Sequence, residues 1–155
     1  MCINNISSRD LSICIKSAEI FEVASNIAEL IPNDSDDAVV DSVINYIVKD
    51  AEIIMVLTAR GSKCKYYHTK MECATLCRKS AIRLFHKKEF LEKYNFEYPE
   101  YVEMLQNMLD EYRQLFVEWI RNMESLCFRE DAWGLFKLPV VSANVLEKPI
   151  NFSLN

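Results

Sequence analysis

The scarcity of glycine and proline is the feature that most constrains the fold of this chain. Its 155 residues include two glycines and four prolines. All-β sandwiches and barrels need a turn every eight to twelve residues, and phosphate-binding loops need clustered glycines, so the sequence disfavours both. Half of the residues are hydrophobic, which is ample apolar material for one buried core in a chain of this length. The sequence therefore favours a single domain of long helices.

Four segments repeat apolar residues at the spacing of an amphipathic helix. The first ends at Pro32, the second begins near Asp36 and ends at Arg60-Gly61, and the third covers about residues 65–94. The fourth starts at Pro99 and has the clearest pattern: Val102, Leu105, Met108 or Leu109, Tyr112, Leu115 or Phe116, Trp119 and Met123. Short connections favour antiparallel neighbours. We therefore expect an all-α, antiparallel four-helix bundle with Trp119 buried in its core.

The periodicity also divides the chain. We expect an irregular N-terminus over residues 1–12, the bundle over residues 13–125 and an irregular C-terminal extension over residues 126–155, where the apolar pattern fades.

No apolar run approaches the roughly 20 residues of a membrane span. The six cysteines lie mostly inside helical patterns and no secretory signal opens the sequence, so we expect reduced thiols in a cytoplasmic protein without a membrane segment.

Residue constellations typical of helical enzymes do not occur in this sequence. A di-iron bundle needs a glutamate three residues before an inward-facing histidine, but Lys65 precedes His68 and Arg83 precedes His86 at that spacing. Some helical ribonucleases place an arginine four to six residues before a histidine, and this spacing is also missing from the sequence. We therefore expect a non-enzymatic protein without a catalytic residue.

A group of thiols near the start of the third segment leaves two interpretations open. Cys73 and Cys77 lie four residues apart, with Cys64 and His68 upstream, and thiolates with imidazole can bind zinc. Cysteine is also among the residues most often buried as a small apolar side chain. Core packing is the favoured interpretation, so we expect neither a metal nor another cofactor.

Charge is segregated along the chain. The chain as a whole is acidic, with a net charge of −5, whereas residues 60–93 have a net charge of +7 and leave −12 for the remainder. Charge segregated along one helix face can bind the phosphates of RNA. Six residues form the candidate binding site for nucleic acid or a partner: Lys65, Arg78, Lys79, Arg83, Lys87 and Lys88. In the alternative interpretation they pair with acidic residues of the fourth helix or of another subunit, namely Glu103, Asp110, Glu111 and Glu118.

The fourth segment also carries a recognisable pattern. Residues 109–121 read LDEYRQLFVEWIR, which resembles the last helix of a family of small four-helix bundles. That family includes proteins encoded in intervening sequences of bacterial 23S ribosomal RNA genes and the accessory variability determinant (Avd) of diversity-generating retroelements. The helix order, the proline at the end of the first helix and the basic third helix are similar too, so the resemblance spans residues 17–123.

The resemblance implies a non-enzymatic protein. In the Avd branch it implies a ring of five subunits that binds the reverse transcriptase of the retroelement and its template RNA through basic surfaces. The first hypothesis is therefore a homo-oligomeric accessory protein, a pentamer by that analogy, which binds RNA, a reverse transcriptase or both through the third helix. The alternative is a helical interaction module that binds only protein, with the basic residues paired internally.

Overall fold

A computed structural model describes residues 8–31, 38–94 and 96–121, together with Cys127 and Trp133. Four helices follow one another: α1 (Ser8–Leu30), α2 (Ala38–Lys63), α3 (Tyr67–Lys93) and α4 (Pro99–Arg121). The predicted all-α fold is confirmed for this part of the chain. The predicted C-terminal extension lies outside the described residues except for Cys127 and Trp133.

The helix ends differ slightly from the predicted ones. α1 begins at Ser8, ahead of predicted residue 13, and Asp10 in its first turn suits the positive end of the helix dipole. α3 begins at Tyr67, after an extended Tyr66, two residues beyond the predicted start near Lys65. Pro99 opens α4 as predicted, because proline fits the first turn of a helix.

The helices pack side by side with short connections. α1 contacts α2 and α4, and α3 contacts the same two helices. Asp50 of α2 contacts Arg83, whereas Thr58, further along α2, contacts Cys77, nearer the start of α3. α2 and α3 are therefore antiparallel.

The core is built from the predicted apolar stripes of α1, α2 and α4. Ile20, Ala24 and Ile27 of α1 are completely buried. In α4 the buried positions are Val102, Leu105, Leu109, Tyr112, Phe116 and Trp119. The predicted burial of Trp119 is confirmed, with 2% of the residue exposed.

The structure buries only part of the line that the apolar pattern of α3 predicts. That line is Tyr67, Met71, Ala74, Cys77, Ala81, Leu84 and Phe85, and of these Ala74, Cys77 and Leu84 are buried. Residues seven positions apart, Lys70, Cys77, Leu84 and Leu91, are all buried, and Cys73 and Ser80 lie beside them. A seven-residue repeat keeps one face of a helix against its neighbours. Phe85, which the pattern assigned to the core, is instead 43% exposed. The buried face of α3 is therefore partly polar, and part of its apolar material faces outward.

Candidate functional site

The six predicted binding residues do not form one free stripe. Five of them lie on α3, but Lys65 precedes the helix. The backbone carbonyl of Lys65 accepts a hydrogen bond of 2.9 Å from the amide of Cys127, and the amide of Tyr67 donates to the carbonyl of Cys127 at 3.1 Å. Lys65 therefore belongs to a backbone bridge that holds Cys127 beside the start of α3.

Arg83 is bound to α2. Its Nε donates to both carboxylate oxygens of Asp50 at 3.1 Å, and its Nη2 donates to Asp50 Oδ1 and, at 3.0 Å, to Ser80 Oγ. Asp50 is 3% exposed, so the guanidinium of Arg83 neutralises a carboxylate that is largely shielded from water. The hydrogen bonds to Asp50 raise the pKa of the Arg83 guanidinium. Arg83 is thus a structural residue that joins α3 to α2.

Two further members of the set also have partners within the chain, both at its surface. Lys87 Nζ lies 5.7 Å from the centre of the Tyr46 ring on α2, a cation–π distance. Lys88 Nζ lies 3.6 Å from Glu92 Oε1, one turn further along α3. Arg83, Lys87 and Lys88 therefore interact with α2 or with α3 itself.

Two acidic residues of α4, Asp110 and Glu111, pair with residues outside α3. Glu111 lies 2.6 Å from Lys16 Nζ of α1, and the hydrogen bonds from Lys16 to Glu111 and Glu19 raise the pKa of Lys16. Asp110 lies 3.7 Å from Arg113 Nε on the same helix. Among the described residues, no ion pair joins α3 to α4.

The three remaining members of the predicted set are exposed. Lys65, Arg78 and Lys79 present their side chains to solvent. Lys65 is separated from Lys79 by more than three helical turns of α3. Arg78 lies at the edge of a groove between α3 and α4.

This groove was not predicted from the sequence, and we call it the α3–α4 groove. It has a volume of about 520 Å³. Its lining residues are Arg78, Ala81, Ile82, Phe85, His86, Leu109, Asp110, Tyr112, Arg113, Phe116 and Val117. Ile82, Phe85 and Val117 are each 42–43% exposed. Its walls are therefore apolar and its rim, formed by Arg78, His86, Asp110 and Arg113, is polar.

The groove exists because α3 and α4 approach each other less closely than the other neighbouring helices do. The buried face of α3 contains Lys70, Cys77 and Leu84, which leaves Ile82 and Phe85 beside α4 without a complementary surface. Gln106 Nε2 donates to the carbonyl of Phe85 at 3.4 Å. This contact bridges the two helices on the side nearer their connection.

The thiols near the start of α3 do not assemble into a metal site. In the described part of the chain, no group of three histidine, cysteine or carboxylate side chains has a geometry that could hold a metal ion. Burial raises the pKa of the Cys64, Cys73 and Cys77 thiols, which disfavours the thiolate that binds metals. His68 stacks on Tyr66 with 5.8 Å between ring centres. The favoured interpretation of core packing agrees with the buried Cys73 and Cys77.

None of the helices in the described residues has the length and hydrophobicity needed to cross a membrane. No protein-family model, curated protein or solved structure matches the chain. Of the resemblance drawn from residues 109–121, the structure supports the all-α four-helix fold.

Proposed function

We propose that the chain is a non-enzymatic helical interaction module that binds a partner protein through the α3–α4 groove. The groove itself is the main observation that supports this proposal. Its apolar residues Ile82, Phe85 and Val117 each expose more than two-fifths of their surface between two well-formed helices. Apolar patches with a polar rim are typical of protein-binding surfaces. The internal contacts of Arg83, Lys87 and Lys88 support the same proposal, because they reduce the charge that is available to phosphates.

Photo-crosslinking in the native host cell tests this proposal. The photoreactive amino acid p-benzoylphenylalanine replaces Phe85, which lines the groove, and in a matched control it replaces Tyr46, an exposed aromatic residue of α2. We expect a protein adduct from position 85 that is resistant to nuclease, absent from position 46 and heavier than two copies of the chain. An adduct from position 85 that nuclease degrades would overturn the proposal, as would the absence of any adduct.

A second candidate function is the one implied by the resemblance to the Avd branch. In that proposal the chain is a homo-oligomer, by analogy a pentamer, that binds RNA or a reverse transcriptase. The specific observation in its favour is the exposure of Arg78 and Lys79 on neighbouring positions of α3, with Lys65 exposed before the helix. Exposed cations that have no carboxylate partner within the described residues can bind phosphates without first breaking an ion pair.

The test of RNA binding must avoid Arg83. Reversing Lys79 and Arg83 together would place a new carboxylate beside the buried Asp50 and destabilise the bundle. We instead choose Lys65→Glu with Lys79→Glu, and as a charge-matched control Lys49→Glu with Arg60→Glu on α2. If the chain binds RNA, the first variant loses salt-sensitive affinity in a filter-binding assay and the control retains it. Equal affinity of both variants, or none in the unmodified chain, would remove RNA binding from this candidate.

A further inference from the structure

The two walls of the α3–α4 groove have the dimensions of a helix-binding site. On α3 the lining runs from Arg78 to His86, and on α4 it runs from Leu109 to Val117. Each wall therefore covers eight helical steps, or about 12 Å. An amphipathic helix presents apolar side chains at i, i+3 or i+4, and i+7 over nearly the same length. The groove matches two turns of such a helix.

The rim of the groove favours one sign of charge. Arg78 and Arg113 stand on opposite walls, and Asp110 is the single carboxylate among the lining residues. Asp110 lies 3.7 Å from Arg113, whose side chain is 76% exposed, so the guanidinium retains donors that point to solvent. Lys79, next to Arg78 in the chain, is also exposed. The rim therefore has a net positive charge and is complementary to carboxylates.

From these dimensions and charges we infer that the α3–α4 groove binds an acidic amphipathic helix of a partner protein. This inference rests on the proposed function and names its partner class. The apolar face of the partner helix packs on Ile82, Phe85 and Val117. Carboxylates on the two flanks of that face pair with Arg78 on one wall and Arg113 on the other.

Two other occupants fit the groove less well. Residues 134–155 of this chain contain two lysines and one glutamate, so they offer little negative charge to Arg78 and Arg113. A second copy of the chain offers acidic helices, but the apolar stripes of α1 and α4 are already buried in its own core. A separate acidic helix is the occupant that satisfies both the apolar walls and the basic rim.

Binding of synthetic helices to the full chain tests the inference. Three peptides of about twenty residues serve as probes, a length at which isolated helices become stable. One carries a leucine stripe flanked by glutamates, the second carries the same stripe flanked by lysines, and the third has the composition of the first with the stripe scrambled. By fluorescence anisotropy we expect the acidic helix to bind about ten times more tightly than the basic one and the scrambled peptide not to bind.

Matched variants locate the binding site. Val117→Arg places a bulky cation in the groove, whereas Val56→Arg places it on α2 at a residue of similar exposure. We expect Val117→Arg to weaken binding of the acidic helix at least tenfold and Val56→Arg to leave it unchanged, with equal melting temperatures. In addition, Arg78→Glu should shift the preference toward the basic helix.

The failures of the two proposals can be told apart. Equal binding of acidic and scrambled peptides, or binding that Val117→Arg does not weaken, overturns the inference about the helix. The inference is also overturned if the unmodified chain sediments as a dimer and Val117→Arg does not, because a second copy then occupies the groove. A nuclease-resistant adduct from position 85 that is heavier than two copies of the chain would still support the proposed function in those cases.

Discussion

The indole of Trp119 lies directly against the backbone of Gly61. A Cβ atom added to Gly61 would stand 2.7 Å from two carbons of the indole ring and 3.2 Å from Cys73 Cβ. The indole Nε1 donates to Ser62 Oγ at 3.2 Å, which fixes the ring in this position. Glycine near the end of α2 therefore makes room for a tryptophan from the diagonally opposite helix, α4.

The first prediction concerns this contact. In an ordinary helix Gly→Ala stabilises by about 1 kcal/mol, but at Gly61 the new methyl would overlap the buried indole ring of Trp119. We expect Gly61→Ala to lower the free energy of unfolding by about 1–3 kcal/mol, the usual cost of overpacking. Urea denaturation of the two proteins measures the difference.

A companion variant separates overpacking from other effects of the substitution. Trp119→Phe removes the ring carbons nearest to Gly61, so Gly61→Ala should cost less in that background than in the unmodified chain. An alanine variant that is as stable as the glycine protein would show that the indole can move away.

The fold could be predicted well from the sequence where the buried positions of a helix are occupied by apolar residues. The stripes of α1, α2 and α4 consist mainly of isoleucine, valine, leucine and aromatic residues, and the structure buries them. α3 was predicted less well, because Lys70 and Ser80 stand at two of its buried positions while Ile82 and Phe85 face outward. Periodicity of hydrophobic residues cannot identify a buried face that is partly polar.

A second prediction concerns the hydrogen bond between Thr58 and Tyr112 in the core. Their hydroxyl oxygens are 2.7 Å apart, and both side chains are buried. Burial raises the pKa of the Tyr112 hydroxyl, so the phenol stays protonated and can donate. We expect Tyr112→Phe to cost about 1–2 kcal/mol, because the buried Thr58 hydroxyl then keeps only the weak contact with Cys77 Sγ at 3.6 Å.

A double-mutant cycle checks the same pair. Thr58→Val together with Tyr112→Phe removes both polar groups at once, so the combined loss of stability should be smaller than the sum of the two single losses. Strict additivity in thermal or urea unfolding would show that the two hydroxyls do not interact.

A third prediction distinguishes structural from free cations on α3. Arg83→Met leaves the buried Asp50 carboxylate without its guanidinium, while Lys79→Met removes an exposed charge. We expect a loss on the order of 1–2 kcal/mol for Arg83→Met, less than for a fully buried pair because the Arg83 side chain is 44% exposed. Lys79→Met should stay within about 0.5 kcal/mol of the unmodified protein. Equal unfolding midpoints for both variants would contradict the structural role of Arg83.

The candidate site could be predicted only in part. Charge counting along the sequence identified the basic segment correctly as an unusual feature, but it could not assign Arg83 to Asp50, because that partner lies 33 residues away on α2. The α3–α4 groove was not predicted at all. It depends on how far apart two helices stand, and that distance follows from which face of α3 is buried.

The geometry around Lys70 leads to a prediction about pH. Its side chain is 6% exposed, and its ammonium lies 4.0 Å from Asp10 Oδ1 and 4.7 Å from the centre of a Trp119 ring. Burial lowers the pKa of Lys70 below its ordinary value of 10.5, and the charge of Asp10 opposes this only in part. The folded chain therefore releases this proton at a lower pH than the unfolded chain does.

The sign of the pH effect follows from proton counting. Between the lowered pKa of Lys70 and 10.5, the unfolded state binds more protons than the folded state, so the Lys70 contribution to the free energy of unfolding rises with pH.

Lys70→Met keeps the length of the side chain and removes the proton. We expect the stability of the unmodified chain relative to Lys70→Met to increase from pH 7 toward pH 10 in urea denaturation under reducing conditions. The exposed Lys79→Met variant is the control, and its stability relative to the unmodified chain should not change with pH. The stability difference between the unmodified chain and Lys70→Met could instead stay constant over this pH range. That result would mean that the ammonium of Lys70 reaches water in the folded protein.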